Sequence, residues 1–284
     1  MRKPIEKFVL CNGARVCVFD WPALPQAQHS PALLFAHGAS FHARVWDAVI
    51  DRLPNRCIAL DLSGHGRSDA PATPLHWRIF AEDVIAAAED AKAKPLIGIG
   101  HSLGGHAIAQ AAALRPDLFD RLMLIDPVIL PQGAYRQHSG EPDPTVRRRS
   151  AFASLDEMKE KLGARPPFSQ WDPRVFDDYC RHGVLLKEDG SVALACAPAT
   201  EAAIYAAGVA IDADISSVLT QITAPTTVLR TSRPQNDPRD FMASPTRPDL
   251  ASLLPRGIDR IVEGSHFVPM EAPAKIAAWI EAFI

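Results

Sequence analysis

The chain is poor in sulfur, in net charge and in long apolar runs. Its 284 residues hold five cysteines, Cys11, Cys17, Cys57, Cys180 and Cys196, an odd count at irregular spacing. No C-x-x-C pair occurs, which argues against a zinc site or a thioredoxin-like redox pair. Buried free thiols suit a reducing compartment. Residues 1–10 carry Arg2, Lys3, Glu6 and Lys7 around a short apolar piece, unlike a signal peptide. No stretch approaches the ~18 apolar residues that span a bilayer. The expectation is a soluble, cytoplasmic protein without a membrane partner. Thirty basic against 33 acidic residues leave a net charge of −3, so no electrostatic reason exists to expect nucleic acid. Internal repeats and low-complexity tracts are absent. Glycine is scarcer than proline, 16 against 25, which predicts many stiff connections. A hydrophobic fraction of 47% and a charged fraction of 22% exclude a disordered chain.

What is present reads as alternating strands and helices. Apolar runs at 8–10 and 16–19 flank Asn12-Gly13, a hairpin signal. Short continuous apolar runs at 32–36, 57–60, 96–99 and 122–125 predict buried strands. Residues 79–91 and 103–115 are alanine-rich and have helical spacing. This order predicts parallel βαβ units in a doubly wound sheet. The pattern then stops at Pro127 and resumes with strands at 226–230 and 260–262, followed by an amphipathic helix at 274–284. Between them, Pro131, Pro142, Pro144, Pro166, Pro167 and Pro173 divide the chain into short pieces. Ser154-x-x-Glu157 reads as a capping box and Asp172-Pro173 as an N-cap before an N1 proline. The reading is one α/β core, residues 1–126 and 224–284, interrupted by a mostly helical insertion at 127–223. Prolines do not mark the boundary, because Pro22, Pro25, Pro71 and Pro74 also occupy core loops. The triplet Arg147-Arg148-Arg149 reads as a solvated face.

Chemistry concentrates at Gly100-His101-Ser102-Leu103-Gly104, a G-x-S-x-G motif between a predicted strand and a predicted helix. A strand turning sharply into a helix holds its middle residue at the tip of the turn. Glycines at 100, 104 and 105 let strand and helix approach closely. Ser102 is thereby presented as a nucleophile. The Leu103 N–H, at the helix N-terminus, points at the same spot and favours negative charge there. A dinucleotide fingerprint is the competing reading of Gly98-x-Gly100. It needs glycine at 103, where Leu103 stands, and it usually opens its domain rather than following two strands. No cofactor and no metal are called for.

At this point the sequence resembles the α/β-hydrolase superfamily. Four islands carry the resemblance: Ala36-His37-Gly38-Ala39, Asp61-Leu62-Ser63-Gly64-His65-Gly66-Arg67-Ser68, the Gly100-to-Gly105 turn, and Gly264-Ser265-His266-Phe267-Val268-Pro269-Met270-Glu271. The resemblance implies an α/β-hydrolase fold, with a mostly parallel eight-stranded sheet flanked by helices and an inserted helical cap. It implies a triad in chain order serine, acid, histidine. Ser102 matches the nucleophile. His266 matches the base, since neutral imidazole can accept the serine proton near pH 7. His37, His65 and His101 read as hydrogen-bonded turn residues.

The acid stays open. Relatives commonly place it after strand seven, but 231–236 holds no carboxylate, and Asp237 comes late among Pro234, Asn236 and Pro238. A minority place it at the end of strand six, where Asp126 stands; Asp237 and Asp240 are the alternatives. The resemblance also implies oxyanion donors at the Leu103 and Ala39 amides. Ser40 and Trp46 are candidate substrate-binding residues, with Trp46 equally readable as core. The implied activity is cleavage of a carboxylic ester or lactone through an acyl-enzyme. The alternatives are hydrolysis of a C–C bond in a ring-cleavage product, or a non-enzymatic ligand receptor. Haloalkane dehalogenases and epoxide hydrolases attack with a carboxylate, and position 102 is serine. Apolar stretches at Val184-Leu185-Leu186 and Ile204-Tyr205 suggest a moderately hydrophobic small molecule as substrate.

Overall fold

The structure is a computed structural model that describes residues 2–71, 75–137, 143–237 and 240–284. Pro74, Pro142 and Pro238 lie outside the described residues.

The chain opens with a hairpin of β1 (Ile5–Cys11) and β2 (Ala14–Trp21). Asn12 and Gly13 at its turn have φ of 51° and 81°, as a tight two-residue turn demands. The strands β3 (Ala32–Ala36), β4 (Cys57–Leu60), β5 (Leu96–His101) and β6 (Phe119–Ile125) follow. Between them run α1 (Asp47–Ile50), α2 (Arg78–Asp90) and α3 (Leu103–Leu114). Beyond β6 the chain leaves the sheet for β7 (Ala151–Phe152), α4 (Leu155–Gly163), α5 (Pro173–His182), β8 (Val184–Leu186), β9 (Val192–Leu194) and α6 (Pro198–Gly208). It returns at β10 (Thr226–Thr231) and β11 (Gly257–Val262), then closes with α7 (Val268–Glu271) and α8 (Pro273–Phe283).

The eight strands are ordered β1-β2-β4-β3-β5-β6-β10-β11. They run parallel from β4 to β11, while β2 is antiparallel to both β1 and β4. Side chains alternate across the sheet. Leu34 joins a core with Phe80, Val84 and Ile108 of α2 and α3. Leu33 and Phe35 join a second core with Val49 of α1 and Ile276 and Ile280 of α8. The strand order reverses beside β3, so the loops leaving β3 and β5 diverge and open a crevice at their carboxyl ends.

The insertion, expected as mostly helical, also holds a three-stranded antiparallel sheet in the order β7-β9-β8. Strands of two and three residues are too short to print a period-two signature. Ahead of α1 the chain makes a 3₁₀ turn over Ala43–Trp46. The caps of the insertion do form. Ser154 Oγ accepts from Glu157 N at 3.1 Å, and Glu157 reaches back to Ala153 N at 2.7 Å. Asp172 accepts from Arg174 N at 2.9 Å ahead of Pro173. No helix among the described residues is long and apolar enough to cross a membrane.

Candidate active site

Ser102 sits between β5 and α3 with φ 56° and ψ −120°, a conformation that costs a non-glycine residue roughly 1–3 kcal/mol. The turn is held from every side. Ser102 N donates to Ile125 O of β6 at 3.1 Å, and Ser102 O accepts from Gly105, His106 and Val128 N at 3.0, 3.2 and 3.1 Å. The glycines make the approach possible: a Cβ on Gly100 would overlap the Gly104 carbonyl, and one on Gly104 the Ala36 carbonyl.

His266 follows β11. Its backbone is fixed by His266 N to Met242 O at 2.8 Å and by the His101 ring, whose Nε2 donates to His266 O at 2.8 Å. Burial and the neighbouring His266 push the His101 pKa down, so His101 is neutral at pH 7. Ser265 N donates to Glu271 at 3.2 Å, and Ser265 Oγ donates to the same carboxylate. That contact makes Glu271 the clamp of the Gly-Ser-His turn.

Asp126 ends β6 with φ 45° and no exposed surface. Its carboxylate accepts from Thr231 N (3.1 Å), Thr231 Oγ1 (3.1 Å), Ser244 Oγ (2.6 Å) and Thr246 Oγ1 (3.4 Å). It also meets His266 Nδ1 at 2.7 Å, and His266 Nε2 lies 2.9 Å from Ser102 Oγ. Burial pushes the Asp126 carboxyl up. The hydrogen bond and charge of His266 and the bonds from Ser244 and Thr231 outweigh it and hold the pKa below the ordinary carboxylate value. Asp240 is engaged elsewhere, by Arg233 Nε at 2.9 Å and Met242 N at 3.1 Å. Asp237 stands next to residues outside those described. Thr231, Ser244 and Thr246 were missed in the sequence, because isolated hydroxyl residues form no motif.

The loop after β3 supplies the facing side. Ala39 lines the cavity beside Ser102. Among the described residues neither the Ala39 nor the Leu103 N–H has a hydrogen-bond acceptor. His37 and His65 brace this loop against the one after β4. Leu62 N donates to His37 Nε2 at 3.0 Å, and His37 Nδ1 donates to Gly38 O at 2.8 Å. Ser40 N donates to His65 Nε2 at 3.0 Å, and His65 Nδ1 donates to Ser63 O at 3.1 Å. Each ring needs one bare nitrogen for these bonds, so both are neutral, and burial pushes their pKa values down, that of His65 to about 4.

Ser102, His266, Ala39 and Ser40 open on a cavity of about 1130 Å³. Phe152, Leu162, Phe168 and Tyr179 line it from the insertion. Trp46 does not line it. It is 1% exposed and packs on Phe35 with ring centroids 5.3 Å apart, because the 3₁₀ turn directs it under the sheet. Leu185 and Leu186 are also outside the cavity, 55% and 77% exposed on β8. The arginine triplet is not a solvated face throughout. Arg148 bonds both oxygens of buried Glu201 at 2.8 and 3.0 Å, and Tyr179 OH at 3.1 Å. Asp47, Asp178 and His182 bring potential metal-ligand atoms within 4.8 Å of one another. Arg44 already engages Asp47 at 2.5 Å, and Arg174 lies 3.8 Å from Asp178.

A sequence profile described as the alpha/beta hydrolase family matches residues 33–279. The chain belongs to this family. Among curated relatives, it is 34% identical over 107 residues to abhydrolase domain-containing protein AFT2-1 of Alternaria alternata, covering 36% of this chain and 40% of that protein. It is 38% identical over 105 residues to lipase LipV of Mycobacterium tuberculosis, covering 36% and 39%. The match therefore spans about two fifths of the length of these relatives. Among solved structures, the peroxisomal alpha-beta-hydrolase Lpx1 of Saccharomyces cerevisiae superposes with a TM-score of 0.77 at 18% identity, covering 100% of this chain and 89% of that one. At that identity the likeness speaks for the fold alone.

Proposed function

We propose that the chain is a serine hydrolase that cleaves a carboxylic ester or lactone through an acyl-enzyme. One observation carries the reading: an unbroken hydrogen-bonded chain, Asp126 to His266 at 2.7 Å and His266 to Ser102 at 2.9 Å, opens on a cavity. Asp126, kept ionised, accepts from Nδ1–H and leaves Nε2 bare to take the Ser102 proton. The Ser102 oxygen attacks the carbonyl carbon. Charge moves to the carbonyl oxygen, where the Ala39 and Leu103 amides receive it. Imidazolium His266 then protonates the leaving alkoxide. Water, deprotonated by the same ring, releases the acid. Residues 127–223 act as the cap that encloses the substrate, and the phenylalanines of the cavity suit a moderately hydrophobic acyl or alcohol part. The name of lipase LipV agrees with ester chemistry.

The test is turnover of p-nitrophenyl esters of increasing acyl length, with fluorophosphonate labelling of the serine. Ser102→Ala is expected to lose about 10⁶-fold in kcat and all labelling, with its melting temperature kept. A folded, active Ser102→Ala protein would sink the proposal. Labelling without turnover of any ester or lactone would favour the receptor reading.

A further inference from the structure

The cap wall of the cavity carries a polar network that the triad does not use. Glu201 of α6 is 3% exposed. A carboxylate so deep is unfavourable unless its charge is met. Arg148 meets it with two bonds, at 2.8 and 3.0 Å, and is itself anchored on Tyr179 OH of α5 at 3.1 Å. Burial opposes the Arg148 cation, but Tyr179 and Glu201 outweigh it and raise its pKa. Among the described residues, a further partner of Glu201 comes from the core: Ser40 Oγ donates to Oε1. Tyr205 OH lies 3.3 Å from the same Ser40 oxygen.

Ser40 is placed where this contact has a consequence. It follows Ala39 directly, and its φ of 70° lies in the left-handed region that serine adopts only when held there. It is held twice, by its own N–H on His65 Nε2 at 3.0 Å and by its side chain on Glu201. The Ser40 N–H belongs to the Ala39–Ser40 peptide, one Cα away from the peptide that carries the Ala39 N–H. A buried ion pair adds little net stability over a well-packed apolar pair. Its effect here is therefore geometric.

We propose that Glu201 is a positioning residue. Through Ser40 Oγ it fixes the loop that aims the Ala39 N–H at the oxyanion, and Arg148 holds the Glu201 carboxylate in place. Seating of the cap and assembly of the oxyanion hole are then one event. This inference rests on the serine hydrolase reading for its kinetic consequence, but not for its structural one.

The experiment compares Glu201→Gln, Ser40→Ala and the double variant. kcat and KM are measured on a p-nitrophenyl ester, with active sites counted by fluorophosphonate titration. Hydrogen–deuterium exchange of the segment spanning Ala39 and Ser40 is followed alongside. Each single change is expected to lower kcat per titrated site about 10- to 100-fold, approaching the loss of one oxyanion donor, with KM within about threefold. The double variant is expected to be no worse than the poorer single variant, because both break one link. Exchange of the Ala39–Ser40 segment should speed up at least about fivefold in both single variants. A purely structural role would lower the melting temperature and leave kcat per titrated site unchanged, and that result overturns the proposal. Losses that multiply in the double variant also overturn it. If the wild-type protein turns over no ester, the hydrolase reading fails separately; unchanged exchange in Glu201→Gln then still overturns the positioning role, and faster exchange upholds it.

Discussion

The two walls of the cavity are built on opposite plans. On the core side, position comes from the backbone. Ser102 and Asp126 both sit at strand ends with positive φ, 56° and 45°, and each is pinned by main-chain bonds to a neighbouring strand. On the cap side, side chains tie the separate segments that line the wall together, through Arg148, Glu201 and two tyrosines. A backbone-built wall tolerates little change in its reacting groups, because rigid sheet edges set their geometry. A side-chain wall can be rebuilt to suit another substrate while the sheet stays as it is.

The sharpest way to break this contrast is at the acid. Asp126→Asn keeps the shape of the side chain and its place at the end of β6. On the proposed mechanism it removes the charge that orients and stabilises imidazolium His266. The expected loss is about 10⁴-fold in kcat, measured on protein shown to be folded at the assay temperature. Asp237→Asn is expected to stay within about twofold of wild type, because Asp126 already occupies the Nδ1 side of His266 at 2.7 Å. Steady-state kinetics of the two variants, side by side, decide the assignment; the reverse pattern would move the acid to the loop after β10.

A second comparison sets Trp46 against Tyr205. Both are aromatic, but Trp46 is 1% exposed beneath the sheet, whereas Tyr205 faces the cavity. Trp46→Ala is expected to cost roughly 3–5 kcal/mol of stability through the void it leaves, with kcat of the folded protein unchanged. Tyr205→Phe is expected to leave stability within about 1 kcal/mol and to alter KM instead. Urea denaturation together with kinetics on both variants tests the pair. A Trp46→Ala protein with normal stability and a raised KM would return that residue to the pocket.

The same contrast explains what could be read in advance. The Ser102 turn is legible because its requirements are local: an apolar strand, glycines where Cβ atoms would overlap carbonyls, and a helix, all within ten residues. The parallel sheet is legible for the same reason, since strands buried on both faces print continuous apolar runs. Strands β6 and β11 begin earlier than their apolar runs, because Asp120, Arg121 and Asp259 lie toward their solvent-facing starts. The cap wall is not legible. Arg148 and Glu201 are separated by 53 residues and Ser40 and Glu201 by 161, and nothing near either end marks the partnership. An arginine triplet looks solvated until the fold places a buried carboxylate beside its middle member. Trp46 is misread for a related reason: one aromatic after a loop motif has no periodicity to say which way it faces.

Acid should weaken the core wall. His37, His42, His65, His101 and His106 are buried, and burial pushes the pKa of each below the ordinary value of 6.5, to about 4 for His65 and His106 and about 3 for His42. A histidine lowered in the folded state binds its proton more readily when unfolded. Its contribution to stability is complete above pH 6.5 and shrinks as the pH falls from 6.5 toward the folded value. Asp61 and Asp83 act in the opposite sense. Burial raises each to about 6, so they bind protons first in the folded state and add stability as the pH falls from 6 toward 4. The rings of His42, His65, His101 and His106, at about 3 or 4, with His37 lowered in the same direction, outweigh Asp61, Asp83 and Asp178, each raised to about 6, at about 1.4 kcal/mol per pH unit for each group. The expected net result between pH 7 and pH 5 is a loss on the order of a few kcal/mol, read as a lower urea midpoint with an unchanged slope. His37 and His65 brace the loop that carries Ala39, so on the proposed mechanism ester turnover should fall across the same window and recover on return to pH 7. A midpoint that stays level or rises from pH 7 to pH 5 would show that these rings accept protons without leaving their bonds, and the neutral-histidine account of the core wall would have to be abandoned.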